Sequence, residues 1–248
     1  MEKKYLFVAG LGRSGTTALV RLLSAHRDIV LGVERFKRLN KPPRSKHLRP
    51  SLFEKESFFN FDDNNTNITP DSLNRWAQHY EAMRKKYDQA IYVGDKAWYR
   101  AFHTISEQFP QPKFVLIVRD IYEVAHSWNV RARNAADRWP AEHDAFAAVT
   151  EWNQMLQAGL DLLGSTRSTT LPVDYGSLFG DSSGRQLQRI MTFLELEPDD
   201  GIREAFAKSQ TTYLNVVKEK QRDLREDELA FIEASARFDL QKQLLAAR

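Results

Sequence analysis

The residues able to do chemistry gather in a few short stretches of the 248-residue chain. The first is Gly10-Leu11-Gly12-Arg13-Ser14-Gly15-Thr16-Thr17, a loop rich in glycines and hydroxyls. The apolar run Tyr5 to Ala9 precedes it, and Leu19, Val20, Leu22 and Leu23 follow at the spacing of a buried helical stripe. Strand, glycine loop and helix make a phosphate cradle. Glycines let backbone N–H groups turn toward an anion, and the helix N-terminus adds partial positive charge. Thr16 stands where a nucleotide-binding P-loop has its lysine, the cation that reaches the β- and γ-phosphates of a triphosphate. A cradle without that cation, carrying Arg13 instead, suits a shorter phosphate chain. An ordinary strand-to-helix turn is the plainer alternative.

Other candidates follow the ends of further apolar runs. Asp28 to Val33 reads as a second strand and ends at Glu34. A carboxylate there can take a proton from a hydroxyl if partial burial raises its pKa; otherwise it pairs with Arg35, Arg38 or a distant lysine. Ala90 to Gly94 reads as a third strand leading into Asp95-Lys96, where Lys96 is either a compact site cation or a surface lysine. Lys113 to Val118 is an unbroken apolar run typical of a strand buried on both faces. Arg119-Asp120 closes it, and Ser127 lies on the helix expected from Tyr122 to Arg133. Thr169 to Val173 is the last expected strand, with Tyr175 just beyond. His103 and His126 are alternative bases, each more simply a packing or surface residue, and His26 reads as structural.

The elements that must position these groups alternate between strand and helix. Beyond the strands named, helices are expected at 70–87, 98–109, 141–163, 184–194, 201–209 and 227–245. That alternation predicts an α/β fold with a mostly parallel sheet of about five strands flanked by helices. Ligands then bind beyond the carboxyl ends of the strands, where the glycine loop, Glu34, Lys96, Arg119 and Tyr175 all fall. One domain spanning 1–248 is expected, interrupted by an irregular segment at about 39–70. Its Phe53, Phe58, Phe59 and Phe61 predict that it packs down rather than floating free.

Composition removes other classes. The chain has no cysteine, so disulfides, thiolate metal sites and a cysteine nucleophile are excluded. Its formal charge of +3 is small, and its basic residues are scattered rather than striped, which argues against nucleic acid. No apolar run reaches the length of a membrane span. With Met1-Glu2-Lys3-Lys4 running straight into the first strand, a cytoplasmic protein is expected.

Three segments together resemble the PAPS-dependent sulfotransferases, which use 3′-phosphoadenosine 5′-phosphosulfate on a P-loop-like fold. Gly12 to Thr17 (GRSGTT) is similar to that family's 5′-phosphosulfate loop, where the lysine is not required. Phe114 to Ser127 (FVLIVRDIYEVAHS) is similar to its 3′-phosphate segment, a strand ending in arginine with a serine eight positions later. Leu31 to Lys37 (LGVERFK) resembles the edge where Golgi-type members place a catalytic glutamate, at the spacing of tyrosylprotein sulfotransferases. Weaker echoes are Gly94 to Lys96 and the stretch from Val173 to Leu194. The resemblance implies a P-loop-like three-layer fold, with PAPS as co-substrate, PAP as product and no metal.

It also implies roles. Gly12, Arg13, Ser14, Gly15, Thr16 and Thr17 would hold the 5′-phosphosulfate, with Arg13 facing the sulfuryl oxygens. Arg119 and Ser127 would hold the 3′-phosphate, and Tyr175 would flank the nucleotide. Lys96 would stabilise the leaving phosphate and Glu34 would be the general base. The chain departs from the pattern at Ala97-Trp98, where Thr-Pro is common, and at Gly176, where a glutamate usually follows the tyrosine. The expected acceptor is a hydroxyl of a carbohydrate, then of a lipid, then of a protein, with the 39–70 segment contributing to its site. A basic stretch at Lys218 and Lys220 would close over the nucleotide. The competing readings are a P-loop kinase or other NTPase, and a non-catalytic nucleotide-binding module.

Overall fold

The computed structural model describes residues 2–40, 43–66, 68, 70–165, 169–217 and 223–247. Five parallel strands form one sheet: β1 (Lys4–Ala9), β2 (Ile29–Leu31), β3 (Tyr92–Ala97), β4 (Lys113–Val118) and β5 (Thr169–Asp174). Their spatial order is β2-β3-β1-β4-β5. The chain leaves β1 toward one edge of the sheet and later builds outward from β4 toward the other. The crevice between the loops after β1 and β4 is therefore the switch point where ligands bind in such sheets.

The helices are α1 (Thr16–Leu23), α2 (Lys55–Phe58), α3 (Pro70–Lys86), α4 (Phe102–Gln108), α5 (Ile121–Ala132) and α6 (Ala145–Leu163), then α7 (Tyr175–Gly180), α8 (Arg185–Leu194), α9 (Asp200–Thr212), α10 (Glu226–Ser235) and α11 (Phe238–Ala246). They cover both faces of the sheet. Leu6, Val8, Val115 and Ile117 pack with α1, α8 and α9 on one side. Phe7, Phe114 and Leu116 pack with α4, α5 and α6 on the other. Burial on both faces is why β1 and β4 read as continuous apolar runs.

Several boundaries move for identifiable reasons. β3 runs on to Ala97, because Asp95 and Lys96 still pair with Phe7 and Val8 of β1; the two polar residues lie inside the strand, not after it. α6 begins at Ala145 rather than Ala141, where the Asp144 carboxylate accepts from Phe146 and Ala147 N–H at 3.0 and 3.1 Å. The helix expected over 227–245 breaks into α10 and α11. Asn153 of α6 satisfies the break, donating to Ser235 O and accepting from Arg237 N–H.

The 39–70 segment is ordered by its aromatics, as expected. Phe53 and Phe58 are fully buried, and Phe53 packs edge-on against Phe7 and Phe109. Short 3-10 turns at Arg44–His47 and Pro50–Phe53, followed by α2, replace the featureless coil. A buried guanidinium ties it down. Arg35 donates to the carbonyls of Ser57, Phe58 and Asn60 and forms a salt bridge with Asp63 at 2.6 Å.

Candidate active site

The glycine loop is held from below by two other elements. Trp128 of α5 donates its indole N–H to Gly12 O at 3.0 Å, and Arg119 donates to Arg13 O at 3.1 Å. Gly15 heads α1 with φ of 91°, and a Cβ there would lie 2.3 Å from the Tyr175 ring. Backbone angle and close approach both demand glycine at that position. Arg13 itself sits at φ 74°, a left-handed conformation that costs about 1–2 kcal/mol in a residue with a side chain. Ser14 Oγ is buried and has no hydrogen-bond partner among the described residues. A buried hydroxyl left unpaired in a loop of this shape is the mark of an anion site.

Around the loop, Arg13 Nε donates to Ser127 Oγ at 3.0 Å. Arg13 thus turns toward the segment expected to hold a 3′-phosphate. Burial, then the neighbouring Arg131 and Arg119 cations, pull its pKa below the usual arginine range. Arg119 pairs with Glu123 of α5 at 2.6 Å rather than with Asp120, and its guanidinium lies 4.5 Å from the Tyr175 ring centre. Asp120 is the N-cap of α5, accepting from Glu123 N–H. Arg13, Ser127, Arg119 and Tyr175 therefore meet at the crevice.

Glu34 occupies the other side. It follows the short β2 in a left-handed turn, φ 57°. The turn is fastened by Asp95, whose carboxylate accepts from Arg35 N–H at 3.1 Å and Phe36 N–H at 2.7 Å. Burial pushes Asp95 up to about 6 despite those bonds. Gly32 is required beside it, since a Cβ would lie 2.8 Å from Asp95 Oδ1. Glu34 Oε1 pairs with Lys96 Nζ at 2.5 Å and Oε2 with Lys37 Nζ at 2.7 Å. Lys96 also donates to Thr17 Oγ1 at 3.3 Å, which joins the carboxylate to the glycine loop.

The electrostatics correct one expectation. Burial alone would raise the pKa of Glu34, but the Lys96 and Lys37 ammoniums outweigh it and hold the carboxyl at about 2. Of the partners expected, the distant lysine is the one found, as Lys96, joined by Lys37; Arg35 is spent on the 57–63 stretch.

A cavity of about 370 Å³ opens beside the loop, with Glu34, Lys37 and Lys96 at its polar end and Trp98, Trp128 and Trp139 among its walls. Sequence reasoning missed Lys37, the tryptophans and His143. Trp139 is set by its indole N–H on His143 O at 2.8 Å and by the Arg131–Asp137 pair beneath it. Trp128 carried a signal, standing next to Ser127; Trp139 and His143 carried none, as they come from the irregular stretch before α6. A second cavity, about 520 Å³, borders the loop through Tyr175 and includes Arg21, Phe179, Lys208 and Tyr213.

The histidines singled out from the sequence, His26, His103 and His126, do not line either cavity. His103 is largely exposed on α4 beside Glu107. His126 is buried and accepts from Asp223 N–H at 3.0 Å, fastening the returning chain. His26 is buried against Glu197 O, structural as expected. Lys218 and Lys220 lie outside the described residues. No helix among the described residues is long and apolar enough to cross a membrane.

The comparisons with known proteins bear on the family and the fold. A putative protein-tyrosine sulfotransferase of Caenorhabditis briggsae is 27% identical over 200 residues, covering 79% of this chain and 66% of its own length. Protein-tyrosine sulfotransferase A of Caenorhabditis elegans is 26% identical over 203 residues, covering 80% of this chain and 51% of its own. The chain thus spans only part of the length of either relative. Among solved structures, the sulfotransferase domain from the curacin biosynthetic pathway shares the fold, with a TM-score of 0.55 at 15% identity, covering 94% of this chain and 97% of that one. The model of the sulfotransferase family matches residues 6–200, a span that contains the glycine loop, Glu34, Lys96, Arg119, Ser127 and Tyr175, and the chain belongs to that family.

Proposed function

We propose that the chain transfers a sulfuryl group from PAPS to an acceptor hydroxyl, with Glu34 taking the hydroxyl proton. One observation carries the reading: Lys96 Nζ lies between Glu34 Oε1 and Thr17 Oγ1, so base, cation and phosphate loop share one cavity. The residues present suit the cofactor. The unpaired Ser14 hydroxyl and the loop amides at the head of α1 are donors for a 5′-phosphate. Arg119, with Ser127 and Arg13 beside it, offers charge-assisted donors for a 3′-phosphate. Tyr175 and the second cavity leave room for the nucleoside. PAPS, when bound, supplies a sulfuryl group on a phosphate leaving group. Lys96 is placed to take up the charge that develops on that phosphate, and its departure from Glu34 would restore basicity to the carboxylate.

The acceptor reaches Glu34 through the tryptophan-walled cavity, bounded on one side by Lys37 and Asn40 at the head of the 39–70 segment. We place a protein tyrosyl hydroxyl ahead of carbohydrate, reversing the order expected from sequence. The matched relatives carry protein-tyrosine in their names, and flat aromatic walls suit a ring. A phenol, with a pKa near ~10, also yields its proton to a weak carboxylate base more readily than an aliphatic alcohol does. We treat residues 1–248 as one domain for this activity.

The kinase reading has less support, because Thr16 replaces the lysine and both Asp95 and Asp120 are engaged by backbone N–H groups. Thermal shift separates the two. Stabilisation by 3′-phosphoadenosine 5′-phosphate and none by ATP with Mg²⁺ is expected; the reverse response would sink the sulfuryl-transfer reading.

A further inference from the structure

The two ammoniums on Glu34 are not equivalent. Lys96 projects from β3, is 17% exposed and leans on Thr17 of the phosphate loop. Lys37 is 53% exposed, stands three residues after Glu34 on a single 3-10 turn, and lines the cavity that the acceptor would enter. A phosphosulfate bound in the loop would compete with Glu34 for Lys96, which already contacts Thr17, but not for Lys37, which has no ion pair or hydrogen bond to the loop among the described residues. We propose that Lys37 is a lock on the base, holding Glu34 Oε2 in an ion pair until an acceptor arrives, and so protecting the phosphosulfate from water. This rests on the sulfuryl-transfer reading above.

The physical need is simple. Water fills the cavity whenever the acceptor is absent, and a fully basic Glu34 beside bound PAPS would activate it. The water oxygen would bond to sulfur, the sulfur–oxygen bond to the phosphate would break, and both protons would end on Glu34 and solvent. The products would be sulfate and PAP, and the sulfuryl group would be wasted. An ammonium on Oε2 keeps the carboxylate a poor base, and because Lys37 is half exposed it can be displaced to solvent. An acceptor sliding along the tryptophan wall displaces Lys37 outward to solvent and frees Oε2 for its own hydroxyl. Lys37 acts through Glu34, so it is a positioning residue rather than a catalytic one. Lys96 on β3, Arg131 on α5 in its pair with Asp137, and Tyr80 on α3 bonded to Val33 also bear on Glu34, and none of these three lies on the 3-10 turn that carries Lys37. The cavity lining also includes Arg100, paired with Glu151 at 2.6 Å, and His143.

The test uses Lys37→Met and Lys37→Arg. Glu34 is titrated by carbon-13 NMR of the labelled carboxylate, in the free protein and with PAP bound, and PAPS decay to sulfate is followed without acceptor. Lys37→Met should raise the Glu34 midpoint by about one unit, speed idle hydrolysis about tenfold, and move the acid limb of kcat/KM upward by a similar amount. Lys37→Arg should restore wild-type values. An unchanged midpoint and unchanged idle hydrolysis in Lys37→Met, with transfer intact in the wild type, would overturn the lock alone. A wild type that never turns over PAPS, while the midpoint still moves in Lys37→Met, would overturn the sulfuryl-transfer reading and the lock's purpose with it.

Discussion

The two halves of the site are built by different means. The phosphate half comes from regular elements: β1 feeds the glycine loop and α1, and β4 feeds Arg119 and α5. Its loop is fixed by donors onto backbone carbonyls, from Trp128 to Gly12 and from Arg119 to Arg13. The Glu34 half hangs from a three-residue strand and a left-handed turn. Beyond two backbone bonds, Gly32 to Gly94 and Lys37 to Glu34, it is fixed by charged side chains: Asp95 on the turn, Arg35 on the 57–63 stretch, Lys96 and Lys37 on the carboxylate. The first half rests on two long strands and their helices, whereas the second depends on charged side chains and can fail without disturbing the other.

Glu34→Gln breaks this comparison most directly. Transfer should fall by about 10²–10⁴-fold, the range of a lost general base, while PAP affinity stays near that of the wild type. Transfer measured with labelled PAPS alongside PAP calorimetry checks both. Activity near wild type would place the base elsewhere. Next in size is Arg35→Met, which removes the buried guanidinium, leaving Asp63 without its cation and the carbonyls of Ser57, Phe58 and Asn60 without that donor. We expect about 3–5 kcal/mol of lost stability in urea unfolding, with PAP still bound by the fraction that remains folded. A loss under about 1 kcal/mol would show that the 39–70 segment is not pinned through this residue.

Arg119→Ala attacks the other half. Losing charge-assisted hydrogen bonds should weaken PAP about 10–100-fold, without the collapse of stability expected at Arg35. Unchanged affinity would remove Arg119 from the 3′-phosphate role.

The same contrast governs what the sequence revealed. The loop, β4 with Arg119, and Ser127 were legible, because their residues lie close in sequence and keep the periods of strand and helix. The β3 extension was not, since Asp95 and Lys96 look like loop residues until β1 is seen pairing with them. Glu34 stands out in the sequence by its place after β2, but the sign of its pKa does not, because the cations that lower it are Lys96, from another strand, and Lys37, on a 3-10 turn. Trp139 and His143 reach the cavity from an irregular stretch, where no periodicity marks which side chains turn inward.

The smallest expected effect separates the two carboxylates of the Glu34 half by pH. Glu34 is held at about 2, below its ordinary 4.5, so its stabilising contribution is present above about 4.5 and lost as pH falls toward 2. Asp95 is raised from 3.8 to about 6, so the native state binds the extra proton between those values. Stability attributable to Asp95 therefore declines as pH rises through that window, the opposite sign to Glu34. Asp95→Asn removes the titration but sets an amide N–H against a backbone N–H, so absolute stability falls at every pH. The informative quantity is the slope of wild type minus variant. It should drop by on the order of 1–2 kcal/mol between pH 4 and 6, read by urea unfolding at each pH. A flat difference curve would mean that Asp95 titrates normally, and that the turn beneath Glu34 is held by a fully ionised carboxylate.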